Sequence, residues 1–413
     1  MKKIKNYIYV DISITENSQH KTGIQRVVRQ FCSQLKNNNN DKFIIKFISV
    51  NKVIDVNKVD PLMNATNFVR LGIAIRNNID SFKRIIYSLA PRRLISTIAS
   101  WTTRYLKIKD IYNTTIVKED NSTHTLLLLD ANWTRDALIL SKLFTQDGYK
   151  VVSVFYDLSP IIEPEFFEKG VARNFKNYWI AQFRYTDLVL SISKTITHEL
   201  KKFLKESNWA TKKNLEFGSI KLGCDFLPKV ENIDVVRKKN KFLSVGSIEP
   251  RKNVVLILET FELLWKDNYD VSLTLVYNNT WHEESLLSRL KKHQLMNKKL
   301  FLVYDASDRE LSFEYKSSSF FVSASSYEGY GLGLAEALNF GCTVFASDIP
   351  VYRELYENTV HFFKINKYAL RDKIISQLNR KKELAKFRPT SWKVASNKLL
   401  RETLVSKINV KKY

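Results

Sequence analysis

Cysteine is scarce: only Cys32, Cys224 and Cys342 occur in 413 residues. They are widely scattered, with neither the spacing of a zinc site nor a disulfide framework. That points to a reducing compartment, the cytoplasm, and to a buried structural role for each. Proline is scarce too, at 8 residues, while 44% of the chain is hydrophobic, a composition that excludes a disordered protein. No window of about 18 apolar residues is present, which excludes a spanning helix. The opening MKKIKNYIYVDISI has a basic tip and an apolar run, but Asp11 interrupts the run and no small-residue cleavage site follows. It reads as a first strand and not as a signal peptide. The six histidines, His20, His124, His198, His282, His293 and His361, are dispersed, with no two at metal-ligand spacing.

Acidic charge is also short, with 42 Asp and Glu against 66 Lys and Arg, a net +24. Such an excess suits nucleic acid, anionic lipid or a phosphorylated small molecule, or else a solvated surface. Nucleic acid is the weakest of these, because zinc-finger spacing, an aromatic RNA-binding signature and a helix-turn-helix pattern are all missing.

A chain this long suits two domains of roughly 150 to 250 residues. Apolar runs at 6–12, 43–50, 125–130, 150–156 and 187–192 read as buried strands, separated mostly by amphipathic helical patterns such as GIQRVVRQFCSQL. A second series runs through 241–247, 271–277, 300–305, 319–325 and 343–348. Buried strands alternating with helices predict parallel sheets covered on both faces, and two series predict two doubly wound α/β domains. The charged stretch PKVENIDVVRKKN, 228–240, is the expected linker.

Ligands of open parallel sheets bind beyond the carboxyl ends of strands. After the strand SFFVSAS comes the turn YEGYG and then the helix LGLAEALNF, stopped at Gly341. Gly329, Gly331 and Gly333 let backbone N–H groups approach a ligand, and the helix start favours phosphate. Glu328 and Glu336 would repel phosphate, so sugar hydroxyls are their natural partners. A sugar nucleotide offers both groups side by side. The strand KFLSVGS delivers Arg251 and Lys252, through IEPRKN, to the equivalent edge, where two cations can neutralise a diphosphate leaving group.

These segments resemble the retaining glycosyltransferases of family 4, which have two Rossmann-like domains facing a central cleft, the GT-B fold. The similarity lies in VGSIEPRKN, SSYEGYGLGLAEALNFG and ASDIPVYREL, and in DIS with TGIQRVVRQ, FYDLSPIIEPEFF and DLVLSISKTITHEL of the first half, which are similar to bacterial enzymes that build O-antigen and capsule chains. The resemblance implies an acceptor-binding domain over 1–230, a sugar-nucleotide domain over 238–388 and a last helix, 389–413, returning to the first domain. It also implies transfer of a hexose, GDP-mannose being the favoured donor, to a lipid-linked glycan with retention of configuration.

By the same resemblance, Glu328 contacts the transferred sugar, Glu336 the ribose, and the backbone at Gly331 and Leu332 the diphosphate. Arg251 and Lys252 stabilise the departing charge. Ser247, Tyr304, Gly329 and Tyr330 belong to the donor site, with the base framed by the loop after LFLVYD. Gly23 approaches the donor from the first domain and Asp157 faces the acceptor, or else merely caps a turn. Ser247 stands where many relatives have arginine, making Arg251 the candidate for that role, and Tyr156 stands where many have histidine. With no Asp-x-Asp triplet, neither metal nor cofactor is expected. The alternative function is a noncatalytic sugar-nucleotide or glycan-binding subunit of an assembly complex.

Residues 70–109 hold nine Lys or Arg against one acid, Asp80, with apolar residues at helical spacing on either side of Pro91. Two basic amphipathic helices are predicted. They either pack on the first domain or lie on the inner face of the cytoplasmic membrane.

Overall fold

A computed structural model describes residues 6–17, 23–36, 43–49, 52–53, 92–116, 122–131, 133–167, 169–227, 235–379 and 384–405. Strands β1 (Asn6–Asp11), β2 (Phe43–Ser49), β3 (Lys52–Val53), β4 (Thr123–Leu128), β5 (Lys150–Phe155), β6 (Leu188–Ser191) and β7 (Glu216–Ser219) form one sheet in the order β3-β2-β1-β4-β5-β6-β7. β1 runs parallel to both β2 and β4, whereas β3 pairs antiparallel to β2 at the edge. The second sheet takes β8 (Lys238–Val245), β9 (Ser272–Tyr277), β10 (Leu300–Tyr304), β11 (Ser318–Ser323), β12 (Thr343–Ser347) and β13 (His361–Phe363) in the order β10-β9-β8-β11-β12-β13, parallel throughout. All ten strands expected from apolar runs are present. Strands β3, β7 and β13, two to four residues long, are additional, and β8 starts inside the stretch expected to be linker.

The chain packs as two compact units, one of Met1–Ser153, Tyr178–Leu188 and Ala210–Leu215, the other of Val154–Asn177, Val189–Trp209 and Glu216–Tyr413. The loops that follow β5 and β6 therefore belong to the second unit.

The core of the second sheet is aromatic. Phe242 of β8 stacks on Phe320 of β11 at 4.5 Å between centroids and meets Phe261 edge-on at 5.1 Å. Phe261 comes from the helix Val254–Lys266, whose residues Val254, Ile257, Leu258, Phe261, Leu264 and Trp265 recur at helical spacing and are buried. Each such side chain stabilises by about 1.5 to 3 kcal/mol on leaving water. This packing fixes the register of β8 beside β11, and with it the two loops that leave their carboxyl ends.

Of the two basic helices expected in 70–109, the first lies outside the described residues. The second is the helix Arg92–Thr115, which begins directly after Pro91 and continues past Lys109. Its later half packs in the first unit: Ile108 and Tyr112 are buried, Arg104 pairs with Asp136, and the Tyr112 hydroxyl bonds Asp147. No described helix is long and apolar enough to cross a membrane.

Candidate functional site

Strand order in the second sheet reverses between β8 and β11, which pair Phe242 with Phe320 and Leu243 with Phe321. Loops diverging from such a point leave a crevice at the carboxyl edge, where open α/β sheets bind ligands. The loop after β8 turns through Pro250–Lys252, and the loop after β11 carries Glu328. Bonds to backbone carbonyls help stitch them together: Ser326 N donates to the Arg251 carbonyl at 2.8 Å, and Asn253 Nδ2 donates to the Ala324 carbonyl at 3.0 Å.

Glu328 is 8% exposed and receives bonds from three side chains. Lys252 Nζ bonds its Oε1, Ser325 Oγ donates to the same oxygen at 2.8 Å, and Arg251 Nη1 donates to Oε2 at 3.2 Å. Burial pushes the Glu328 carboxyl up, but the charges of Lys252 and Arg251 outweigh it and bring the pKa down to about 2. Arg251 also reaches the Tyr327 carbonyl at 3.1 Å and Glu249 Oε1 at 2.8 Å. Burial works against the Arg251 charge, and Glu328, Glu249 and Asp157 more than restore it. The Arg251 side chain is 17% exposed and that of Lys252 22%.

The turn beyond Glu328 needs its glycines for definite reasons. A Cβ on Gly329 would sit 2.4 Å from the Tyr156 carbonyl oxygen and 3.3 Å from Asp157 Cβ. Gly331 has φ +83°, and a Cβ there would meet Tyr352 Cε1 at 2.5 Å. The helix Leu332–Asn339 starts immediately after it and stops before Gly341.

The structure thus gathers Arg251, Lys252, Glu328, Gly329 and Asp157. Asp157 Oδ1 accepts from Ser159 N at 3.1 Å and from Ser159 Oγ at 2.6 Å, so it caps its own turn while also lying beside Arg251. Glu336 sits apart from this cluster, 1% exposed, accepting from the Tyr315 hydroxyl at 3.0 Å. Tyr330 is buried with its hydroxyl on the Leu222 carbonyl, and Leu332 begins the helix. Ser247 lies in the loop after β8. Tyr304, 68% exposed, ends β10 with its ring 5.4 Å from that of Tyr277. Gly23 opens the helix Gly23–Lys36 of the first unit.

Ser325, Glu249 and Tyr327 join the site without having been singled out in the sequence, and Glu199 holds the Tyr327 hydroxyl. Ser325 stands three residues before Glu328 and was open to recognition; Glu199 is 128 positions from its partner Tyr327, and no local pattern reports such a contact.

Residues 228–393, which contain this whole switch point, match the family model described as glycosyl transferases group 1. Residues 228–393 are a glycosyltransferase group 1 domain. Serotype-specific mannosyltransferase WbdA of Escherichia coli is 29% identical over 222 residues, covering 51% of this chain and 27% of WbdA. O-antigen chain mannosyltransferase RfbU of Salmonella typhimurium is 28% identical over 204 residues, covering 49% of this chain and 53% of RfbU. The matches thus take in about a quarter of WbdA and about half of RfbU. In three dimensions the chain resembles a UDP-forming trehalose-phosphate synthase from Burkholderia xenovorans, with TM-score 0.60, 10% identity and coverage of 97% and 99%. It also resembles a sucrose-phosphate synthase from Thermosynechococcus elongatus, with TM-score 0.58, 14% identity and coverage of 97% and 94%. Around the glycosyltransferase group 1 domain, the fold as a whole is GT-B.

Proposed function

We propose that this protein is a retaining hexosyltransferase that moves a hexose, with GDP-mannose the favoured donor, to a growing lipid-linked cell-surface polysaccharide at the inner face of the cytoplasmic membrane. The observation that carries this reading is the convergence of Lys252, Arg251 and Glu328 at the switch point of a glycosyltransferase group 1 domain. The names of the relatives, a serotype-specific mannosyltransferase and an O-antigen chain mannosyltransferase, support the sugar and the class of acceptor.

In this reading Lys252 exchanges from Glu328 to the donor phosphate, while Glu328 turns its charge to hydroxyls of the transferred sugar. Backbone at Gly331 and Leu332 holds the diphosphate, Glu336 the ribose, and Tyr304 borders the base. Asp157 faces the acceptor. The bond between the anomeric carbon and the diphosphate oxygen breaks, leaving positive charge on the sugar and negative charge on phosphate. The preorganised cations stabilise the second of these. The acceptor oxygen then bonds the anomeric carbon on the face the diphosphate leaves, and its proton passes to a phosphate oxygen. Lys252 and Arg251 answer the phosphate charge, so the proposal includes no metal.

The test is incubation with a panel of sugar nucleotides and a lipid-linked glycan acceptor, reading nucleotide release and, by NMR, the configuration of the product. GDP release from GDP-mannose with a retained anomeric configuration is expected. Binding without release from any donor would overturn the enzyme reading in favour of a binding subunit.

A further inference from the structure

Tyr327 stands immediately before Glu328, and three separate bonds converge on it. Its hydroxyl donates to Glu199 Oε2 at 2.8 Å and accepts the Leu158 N–H at 3.3 Å, while its carbonyl accepts from Arg251 Nη1 at 3.1 Å. Leu158 follows Asp157 in the loop after β5, and Glu199 belongs to the helix Lys194–Ser207 after β6. One side chain therefore joins the turn that carries Glu328 to the loop that carries Asp157. Gly329 permits the close approach, since the Tyr156 carbonyl occupies the space that any Cβ there would need. Burial, with Asp157 and Glu199 nearby, pushes the Tyr327 phenol up, so it stays a hydrogen-bond donor at every working pH.

We propose that Tyr327 is a positioning residue that sets the carboxylate of Asp157 against that of Glu328, fixing the acceptor side of the reaction relative to the donor side. The proposal rests on the glycosyltransferase reading above. A displacement of about 1 Å between reacting groups costs on the order of 100-fold in rate, whereas binding of the donor alone does not depend on where the acceptor sits. The signature of Tyr327 is therefore a loss in kcat with donor affinity retained.

In Tyr327→Phe the ring still fills its space, but Leu158 and Glu199 lose the hydroxyl. Its kcat for transfer is expected to fall about 10-fold to 100-fold, with KM for the sugar nucleotide and calorimetric affinity for the nucleoside diphosphate within about twofold of wild type. Glu199→Gln keeps an oxygen for the hydroxyl and should transfer within about threefold of wild type, whereas Glu199→Leu should behave like Tyr327→Phe. Should Tyr327→Phe not fold, Glu199→Leu against Glu199→Gln carries the same comparison. Wild-type kcat in Tyr327→Phe, or a loss of donor affinity as large as the loss of kcat, overturns the positioning role alone. A wild-type protein that releases no nucleotide from any donor overturns the transferase reading beneath it.

Discussion

The Glu328 carboxylate has a use in the structure even without a donor, because it neutralises Lys252 and Arg251 in a buried setting. Its folded pKa of about 2 lies below the ordinary value of 4.5. Its contribution to stability is therefore complete above about pH 4.5 and fades as pH falls toward 2, with a ceiling on the order of 3 kcal/mol. Glu328→Gln is expected to be less stable than wild type in urea at pH 7, and the gap should narrow below about pH 4. In the same variant a charge-assisted bond to the donor sugar worth roughly 1.5 to 3 kcal/mol is lost, so turnover should drop about 10-fold to 150-fold. Unchanged turnover would contradict the donor role, and a stability gap independent of pH would contradict the ion pairing. The sequence made this glutamate legible through its glycine turn and the cationic loop upstream. That the cations would grip Glu328 itself was not legible, since the contact depends on the register of β8 beside β11. Glu336 shows the reverse limit: its spacing from Glu328 is plain in the sequence, but its bond to Tyr315 depends on how the helix Asp308–Ser317 packs.

The turn after β11 is the element on which the site depends, and Gly331 is the glycine in it that takes a left-handed backbone. Gly331→Ala would force an L side chain into φ +83° and against the ring of Tyr352. The left-handed conformation alone costs about 1 to 2 kcal/mol, and moving the ring adds to it. Thermal unfolding of this variant should begin at lower temperature and its affinity for a nucleoside diphosphate should fall; wild-type values of both would show that the turn tolerates a side chain. The strands around it are legible in the sequence because a buried parallel strand is a nearly continuous apolar run, as in FLSV, FFVS and VFAS. Strand β7 is EFGS, only half-buried, and β13 is HFF. Neither has the length or apolar run that periodicity detects, so both follow from neighbouring strands and not from their own residues. The loop after β5 was expected to supply Asp157, but its attachment to Tyr327 came only from the folded arrangement.

Across the whole molecule the net charge of +24 suits an anionic partner or a solvated surface. In the proposed reading residues 70–109 meet an anionic membrane, although the packed half of the helix Arg92–Thr115 buries Ile108 and Tyr112 and commits Arg104 to Asp136, leaving Leu106, Lys107 and Lys109 exposed. A basic residue near an anionic surface is worth about 1 kcal/mol, so half of the nine would supply on the order of 4 kcal/mol. The protein should float with anionic vesicles at low salt, release them as salt rises, and stop binding when Lys83, Arg84, Arg92 and Arg93 are changed to Glu. Indifference to anionic vesicles, or to that charge reversal, would remove this segment from the membrane contact. The pairing of Arg104 with a residue 32 positions away shows why charge alone did not decide how much of the segment was free. The most direct measurement concerns the proposed phosphate seat at the switch point: calorimetric titration of wild type and Lys252→Ala with GDP and with guanosine. In the proposed reading Lys252 acts on phosphate and not on the base, so the variant should lose about 10-fold to 150-fold in affinity for GDP and almost nothing for guanosine. Equal losses for the two ligands, or no binding of GDP by the wild type, would contradict the assignment of this site to a nucleotide-sugar donor.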